Sequence, residues 1–197
     1  MKIEITKKAE LNTSKWSGGT TTQLAIFPQD ASYQKGDFQF RLSTAKVEAQ
    51  TSNFTKLPGI SRVIMILEGK LELTHKNRYT KSLQQFDTDN FEGDWETCSI
   101  GQVTDFNLMT TSGTHGELDH AILIKEKEET IILTDSFDTY AIYAFSGAFE
   151  LNNENQSDLL EEGDIVLMQN AGTKTSLNLK ALTNCEIIIA RINTNCK

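Results

Sequence analysis

Residues 53–73 read NFTKLPGISRVIMILEGKLEL, and this stretch decides the fold. Pro58 and Gly59 predict a turn, because proline fixes φ and glycine tolerates positive φ. The continuous apolar run Val63–Leu67 is typical of a strand that is buried on both faces. Gly69 predicts a tight turn into a second strand, whose leucines alternate with polar residues. A strand that is apolar on both faces lies between two layers, which indicates a sandwich or a barrel.

Composition and charge set limits on the class of protein. The chain has 197 residues, of which 38% are hydrophobic and 23% charged, which suffices for one large domain or two small ones. The net charge of -8 and the pI of about 4.9 disfavour nucleic acid and anionic membranes as partners. We therefore expect neither partner.

The location predicted from the sequence is cytoplasmic. No run approaches the roughly 18 apolar residues of a membrane span, and the first residues lack the apolar core of a signal peptide. Cys98, Cys185 and Cys196 are odd in number and show no CxxC spacing, which favours reduced thiols.

The second half of the sequence repeats the first. The run VIMILEGKLEL at 63–73 aligns with AIYAFSGAFEL at 141–151, which places Gly69 and Gly147 78 residues apart. Two copies of a strand, a glycine turn and a strand indicate duplicated β units. We predict an all-β chain with an N-terminal unit at 1–112 and a C-terminal unit at 113–197, with strands exchanged between them. Helix should be minor.

A set of short motifs in the first half, in a fixed order, resembles the HutD/Ves family. In the second half, FSGAFEL followed by EGDIVLM resembles the turn-and-strand rhythm of a cupin. The first-half motifs cover residues 14–112, and they are Trp16-Ser17-Gly18-Gly19-Thr20, Phe40-Arg41-Leu42-Ser43 with Ala45, Phe54, Leu57-Pro58-Gly59 with Arg62, Leu67-Glu68-Gly69, Phe91-Glu92-Gly93-Asp94 and Asp105-Phe106-Asn107-Leu108-Met109.

This resemblance implies a compact bicupin, in which two jelly-roll units form one molecule. It also implies a role linked to histidine utilisation, in which the protein binds a pathway intermediate such as formiminoglutamate. The resemblance brings no enzymatic activity with it.

Polar residues on alternating strands of the first half form the predicted ligand site. Arg41 and Ser43 share the polar face of one strand, and Asp105 and Asn107 share a face of another. Arg62 directly precedes the apolar strand. Guanidinium groups near a cavity suit a carboxylate through bidentate hydrogen bonds. The ordinary structural alternative is that these arginines pair with surface carboxylates, and that the two polar residues of the second strand satisfy backbone groups.

The loop at Trp16, Gly18, Gly19 and Thr20 completes the predicted site. Its indole and its flexible backbone N–H groups would cap a pocket or hold an anion. We expect this loop at the mouth of the N-terminal unit, with Arg62 at the rim and Arg41 deeper. The alternative is a turn that an aromatic residue anchors.

The histidine content predicts that the protein holds no metal and no cofactor. Cupin-type metal sites need several imidazoles that converge from neighbouring strands. His75 follows the hairpin in a polar stretch, and His115 and His120 lie in the linker region 110–119 and just beyond it. The strand that would carry a His-x-His pair carries Leu57–Arg62 instead.

Three functions stay open on the sequence. The leading hypothesis is a metal-independent protein that binds a small carboxylate or amino-acid-derived ligand and senses or regulates histidine utilisation. The second is an isomerase or hydrolase of a small carboxylate, with Asp105 or Glu92 as the base. The third is a stress-related structural module without a ligand. A homodimer is compatible with each, because a sheet edge can pair across a two-fold axis.

Overall fold

The computed structural model describes residues 1–153, 156–169 and 175–194, and strands account for most of them. The prediction of an all-β fold is confirmed. A single turn of 3-10 helix at Lys8–Glu10 follows the first strand. Across the described ranges, no helix is long and apolar enough to cross a membrane. Cys196 lies outside these ranges.

The strands are numbered along the chain. They are β1 (Lys2–Thr6), β2 (Asn12–Trp16), β3 (Gly19–Phe27), β4 (Phe40–Val47), β5 (Thr51–Asn53), β6 (Ile60–Gly69), β7 (Leu71–His75), β8 (Tyr79–Leu83), β9 (Thr88–Glu92), β10 (Thr97–Ile100), β11 (Val103–Thr111), β12 (His115–Leu123), β13 (Glu128–Leu133), β14 (Thr139–Ser146), β15 (Ala148–Asn153), β16 (Gln156–Glu161), β17 (Ile165–Gln169), β18 (Thr175–Ala181) and β19 (Cys185–Asn193).

The strands form two units that repeat one topology. The N-terminal unit, Asn12–Gly116, has a six-stranded sheet in the order β2-β3-β4-β11-β6-β9 and a four-stranded sheet in the order β5-β10-β7-β8. The C-terminal unit has a five-stranded sheet in the order β1-β17-β14-β19-β12 and a four-stranded sheet in the order β13-β18-β15-β16. Strands β4 to β11 therefore correspond in order to β12 to β19.

The first eleven residues belong to the C-terminal unit, together with the described residues from Glu117 onward. The predicted boundaries place these eleven residues in the N-terminal unit, with strands exchanged between the units. The structure differs because β1 pairs antiparallel with β17, with Ile3 opposite Met168. Lys7 reinforces this pairing, since its Nζ lies 2.8 Å from a carboxylate oxygen of the buried turn residue Asp164.

Gly69 and Gly147 occupy equivalent turns, as the repeat predicts. Their φ angles are 87° and 80°, in the region that favours glycine. A Cβ atom at either position would lie 2.5 Å from a backbone carbonyl oxygen, of Gln102 in one unit and of Asn184 in the other. The same close approach therefore requires glycine in both copies.

Two of the family-like motifs meet in one turn contact of the N-terminal unit. The Gly93 N–H donates to the carbonyl of Ile60 at 2.7 Å, and its own carbonyl accepts from the N–H of Leu57 at 2.7 Å. A Cβ atom at Gly93 would lie 2.7 Å from the Leu57 carbonyl oxygen. These two motifs therefore hold the loop that leads into β6, which carries Arg62.

Candidate functional site

A polar patch crosses the neighbouring strands β4, β11 and β6. Ser43 pairs with Asn107, and Arg41 and Arg62 both lie opposite the same residue of β11. Directly paired residues project from one face of a sheet. Asp105 precedes Asn107 by two positions and shares its face. These five side chains are buried, so the structure brings together five of the nine ligand residues that the sequence predicts.

Arg41 is held by side chains of its own unit. Its Nε donates to Gln23 Oε1 at 3.0 Å, and its Nη1 donates to Ser43 Oγ at 3.1 Å. The guanidinium lies 4.5 Å from the ring centre of Tyr33, a cation–π distance. Burial lowers the pKa of Arg41, and Tyr33 opposes that shift. An arginine in this setting stays charged, because its ordinary pKa is so far above neutrality.

Arg62 contacts two aromatic rings. Its guanidinium is 4.9 Å from the ring centre of Phe54 and 5.1 Å from that of Phe91. The hydrogen bond from its Nε to Asn107 Oδ1 is long, at 3.4 Å. Burial lowers the pKa of Arg62 to about 10, and the nearby carboxyl of Asp105 opposes the shift. Arg62 is therefore a cation at neutral pH.

Neither buried arginine has a carboxylate within 4 Å among the residues that the structure describes. Arg191 provides a contrast, since its Nη1 and Nη2 lie 3.2 Å from Glu117 and Asp119 at the surface. The ordinary alternative of surface ion pairs therefore describes Arg191 and does not describe Arg41 or Arg62.

Asp105 is the acidic residue beside this pair. Burial raises its pKa to about 7, while the charge of Arg62 and a hydrogen bond from Asn107 act in the opposite direction. Its Oδ1 is buried and has no hydrogen-bond partner in the described part of the chain. At neutral pH the patch carries two guanidinium charges and, at most, one carboxylate charge. Its net charge is positive, so it favours an anion.

The other four predicted ligand residues, Trp16, Gly18, Gly19 and Thr20, lie on the hairpin that joins β2 and β3. Gly19 pairs with the last residue of β4, whereas Arg41 is the second residue of that strand. The hairpin is therefore at the far end of β4, roughly 20 Å along the strand. The structure does not bring this loop to the arginines, which differs from the predicted cap over their side chains.

Local packing explains why these positions carry glycine. A Cβ atom at Gly18 would overlap the ring of Trp16, and one at Gly19 would overlap the carbonyl oxygen of Lys46. The Trp16 side chain is 42% exposed. Thr20 pairs with Lys46, and its side chain therefore projects from the face opposite to Ser43. The alternative of a turn anchored by an aromatic residue fits this geometry.

The predicted depths of the two arginines also differ from the structure. Arg41 is 6% exposed and Arg62 is 8% exposed. The two side chains are buried to a similar degree. Arg62 is the third residue of β6 and follows Ile60, whose carbonyl accepts from the Gly93 N–H, so it lies within the sheet and not at its edge loop. The predicted arrangement, with Arg62 at the rim and Arg41 deeper, is therefore not observed.

A buried histidine network lies in the same unit and was missed in the sequence. His75 Nδ1 is 2.8 Å from Thr97 Oγ1, and its Nε2 is 2.9 Å from Asp89 Oδ2. Tyr79 and Lys81 also reach the carboxylate of Asp89. In the sequence, His75 stands only as a residue that follows the hairpin in a polar stretch. The signal that could have found it is the alternation from Leu71 through Leu73, which places residue 75 on the buried face.

Glu92, one of the two predicted bases, is exposed. Its carboxylate accepts a hydrogen bond from the Ser61 hydroxyl at 2.9 Å and 3.1 Å to its two oxygens. Its neighbour Phe91 takes the buried position on β9. Glu92 therefore projects away from the arginines, and Asp105 is the carboxyl group of the candidate site.

The donor set gives no cluster for a metal ion. Within the described ranges, no group of three or more His, Cys, Asp or Glu side chains converges as metal ligands would. Both ring nitrogens of His75 already have hydrogen-bond partners. The residues present therefore do not fit a cupin-type metal centre, and a bound anion is the ligand that the patch suits.

Two jelly-roll units of one topology in a single chain define a bicupin, and this is the class of the protein. The family model for HutD matches residues 8–189, so the chain belongs to the HutD family. Protein Ves of Citrobacter koseri is 33% identical over 109 residues, which cover 53% of this chain and 54% of that protein. The match thus spans about half the length of this curated relative.

Solved structures of similar fold cover nearly the whole chain. PA5104 from Pseudomonas aeruginosa PAO1, described as a conserved protein of unknown function, has a TM-score of 0.85 at 19% identity and covers 98% of this chain and 100% of its own. HutD from Pseudomonas fluorescens SBW25, solved in a formate condition, has a TM-score of 0.74 at 18% identity and covers 98% of both chains. At these identities the likeness shows the fold.

Proposed function

We propose that this protein binds a small carboxylate at the buried patch of its N-terminal unit, without a metal or other cofactor, and thereby senses or regulates histidine utilisation. The observation that carries the proposal is the pair of buried guanidinium groups, Arg41 and Arg62, that have no carboxylate within 4 Å among the described residues. Formiminoglutamate is the type of ligand we propose.

The energetic argument concerns the cost of buried charge. A buried ion is destabilising unless a partner and hydrogen bonds compensate it. Here Gln23, Ser43 and Asn107 supply neutral acceptors, and the rings of Tyr33 and Phe54 supply cation–π contacts. A ligand carboxylate would supply the missing negative charge and would accept from guanidinium donors in a bidentate manner.

The biological role is proposed from family membership. The chain belongs to the HutD family, and HutD from Pseudomonas fluorescens shares its fold. We propose a cytoplasmic location because the cysteine pattern favours reduced thiols. The acidic net charge supports a small ligand in place of nucleic acid or a membrane surface.

Isothermal titration calorimetry tests the proposal directly. The purified protein is titrated with histidine, urocanate, formiminoglutamate and N-formylglutamate. We expect one of the acids that carry a side-chain carboxylate to bind, with a lower affinity at high salt because charge pairs are screened. If none binds at millimolar concentration, this class of ligand is wrong.

A second candidate function is that of an isomerase or hydrolase with Asp105 as its base. Its specific support is that burial raises the pKa of Asp105 to about 7, which is in the range of a general base at neutral pH. An arginine would stabilise developing negative charge. Proton NMR of each acid incubated with the protein checks this function, since turnover would change the spectrum of the acid and binding alone would not.

The third function, a structural module without a ligand, predicts a crystal structure in which side chains and water alone occupy the patch. Light scattering would at the same time determine whether the protein is the homodimer that the sequence allows. Either assembly state is compatible with binding at Arg41 and Arg62, because both side chains belong to one unit of one chain.

A further inference from the structure

Asp105 has an acceptor atom that no described residue of the chain uses. Its Oδ1 is buried and has no hydrogen-bond partner in the described part of the chain, and the residue as a whole is 5% exposed. Buried polar atoms of folded proteins nearly always have a partner, and an unused acceptor in the interior is destabilising. A ligand that brought a donor to this atom would remove that cost.

The position of Asp105 relative to the arginines limits where this donor would lie on the ligand. The guanidinium of Arg62 extends along the sheet to the level of Asn107, to whose Oδ1 its Nε donates. Asp105 lies two residues further along β11, on the same face, so the two levels are roughly 7 Å apart. No oxygen of Asp105 lies within 4 Å of a guanidinium nitrogen of Arg62. A small molecule could therefore contact both groups with its two ends.

We propose that the ligand of this site carries an N–H donor in addition to its carboxylate, and that Asp105 is the residue that selects for this donor. The inference rests on the proposed function, because Arg41 and Arg62 must hold the carboxylate. It adds a second requirement on the chemical class: amide-bearing or imine-bearing acids are ligands, and acids of the same shape without the donor are poor ones.

Two acids of equal shape test the requirement. Glutaramate ends in a carbonyl with an amide NH₂, and 5-oxohexanoate ends in the same carbonyl with a methyl group. Their affinities are measured by calorimetry at mildly alkaline pH, where Asp105 is largely ionised. We expect glutaramate to bind at least about tenfold more tightly, because a site with a buried polar group rejects a ligand that leaves the group unpaired.

Variants at Asp105 assign the preference to its carboxylate. Asp105→Leu keeps the approximate shape and removes the acceptor, so the two acids should then bind with affinities within about twofold of each other. Asp105→Asn keeps an acceptor oxygen and should retain part of the preference. Circular dichroism of both variants checks that the fold is intact, and the asparagine variant provides the reading if the leucine variant does not fold.

The possible failures are distinguishable. Equal binding of the two acids to the wild type, or an unchanged preference in Asp105→Leu, would overturn the role of Asp105. If Arg41→Met also weakened that equal binding, the carboxylate site would stand without the donor requirement. If neither acid bound to the wild type, both the carboxylate site and the inference drawn from it would be wrong.

Discussion

The two units place different chemistry on the same pair of strands. In the N-terminal unit, β11 carries Asn107 and Asp105 opposite apolar residues of β6. In the C-terminal unit, the equivalent positions on β19 are Ile189 and Ile187, opposite apolar residues of β14. These isoleucines belong to a continuous apolar core. The C-terminal interior is therefore apolar at these positions, and the N-terminal interior carries polar groups there, of which Asp105 Oδ1 has no hydrogen-bond partner among the described residues.

The position of Arg62 shows the same contrast. Arg62 lies two residues before Ile64 on β6. The equivalent position of the C-terminal unit, two residues before Ile142 on β14, holds Tyr140. The Tyr140 hydroxyl accepts from the Thr134 N–H at 2.7 Å and is 3.2 Å from the Thr134 carbonyl, to which it donates. The polar atom of Tyr140 is thus satisfied within its unit, whereas the charge of Arg62 has no carboxylate within 4 Å among the described residues. The contrast supports the proposal that the N-terminal unit is the one that binds a ligand.

The largest expected effect comes from placing the polar chemistry in the apolar unit. Ile187→Asp puts a carboxylate into a fully buried site and should lower the free energy of unfolding by more than about 4 kcal/mol, because no partner compensates the charge. Urea denaturation measures the loss.

The reciprocal change, Asp105→Ile, is the matched control for this comparison. Replacing a buried charge with an apolar residue is often neutral or stabilising. We expect stability equal to or above that of the wild type at neutral pH. Equal losses in the two variants would mean that the interiors do not differ in the way we infer.

The next effect is a pH dependence that Asp105 should produce. Its pKa is about 7 in the folded protein, above its ordinary value of 3.8. Between these values the folded protein holds a proton that the unfolded chain releases, so the free energy of unfolding falls as pH rises from about 4 to about 7. The loss is up to about 4 kcal/mol, since one pKa unit corresponds to about 1.4 kcal/mol.

Asp105→Asn isolates this contribution, because other carboxylates titrate in both proteins. Urea denaturation of the two proteins across this pH range gives their difference in stability. The variant should gain stability relative to the wild type as pH rises. A difference that stays constant with pH would show that the Asp105 carboxyl titrates at its ordinary value, and the polar interior would then be more hydrated than its burial indicates.

The third effect concerns ligand binding. Arg41→Met keeps the aliphatic part of the side chain and removes the charge, which should weaken binding of the acid identified by calorimetry by about 2–4 kcal/mol. The fold should persist, since Arg41 makes no ion pair within 4 Å among the described residues. Arg191→Met removes a surface arginine and should leave affinity unchanged. Equal affinity of Arg41→Met and the wild type would assign Arg41 a structural role.

The sequence predicted the fold well because the signals are local. Alternation and the turn glycines at 69 and 147 are consequences of strand and turn geometry, and they identify the repeat without any long-range information. The family-like motifs are also tied to turn geometry, since Gly93 and Leu57 meet in one turn contact. The exchange of β1 into the C-terminal unit depends on a pairing between distant residues, Ile3 and Met168, and its partner could not be found from a pattern.

The candidate site was predictable in part, for the same reason. Alternation placed Arg41 with Ser43 and Asp105 with Asn107, and the register then joined the two pairs. The loop at Trp16 is predicted in the site because the flexible backbone N–H groups at its glycines could hold an anion. Here the glycines serve close backbone packing, which depends on what lies opposite them in space.

The smallest expected effect is that of metal removal. A bicupin could be expected to hold a metal, so the metal-ligating side chains of the two units matter here. The described residues contain no cluster of three or more metal-ligating side chains, and His75 uses both ring nitrogens on Thr97 and Asp89. Metal ligands converge from neighbouring strands in a defined geometry, which this arrangement lacks.

We therefore expect well under one equivalent of zinc, iron, manganese or nickel in protein purified without nickel resin, by elemental analysis. Treatment with a chelator should change neither the midpoint of thermal unfolding nor the affinity for the acid, because anion binding depends on the guanidinium charges of Arg41 and Arg62. Stoichiometric metal bound by two or more of His75, His115 and His120 would contradict this expectation. The protein would then belong with the metal-dependent cupins, and the arginine patch would be part of a metal-assisted site.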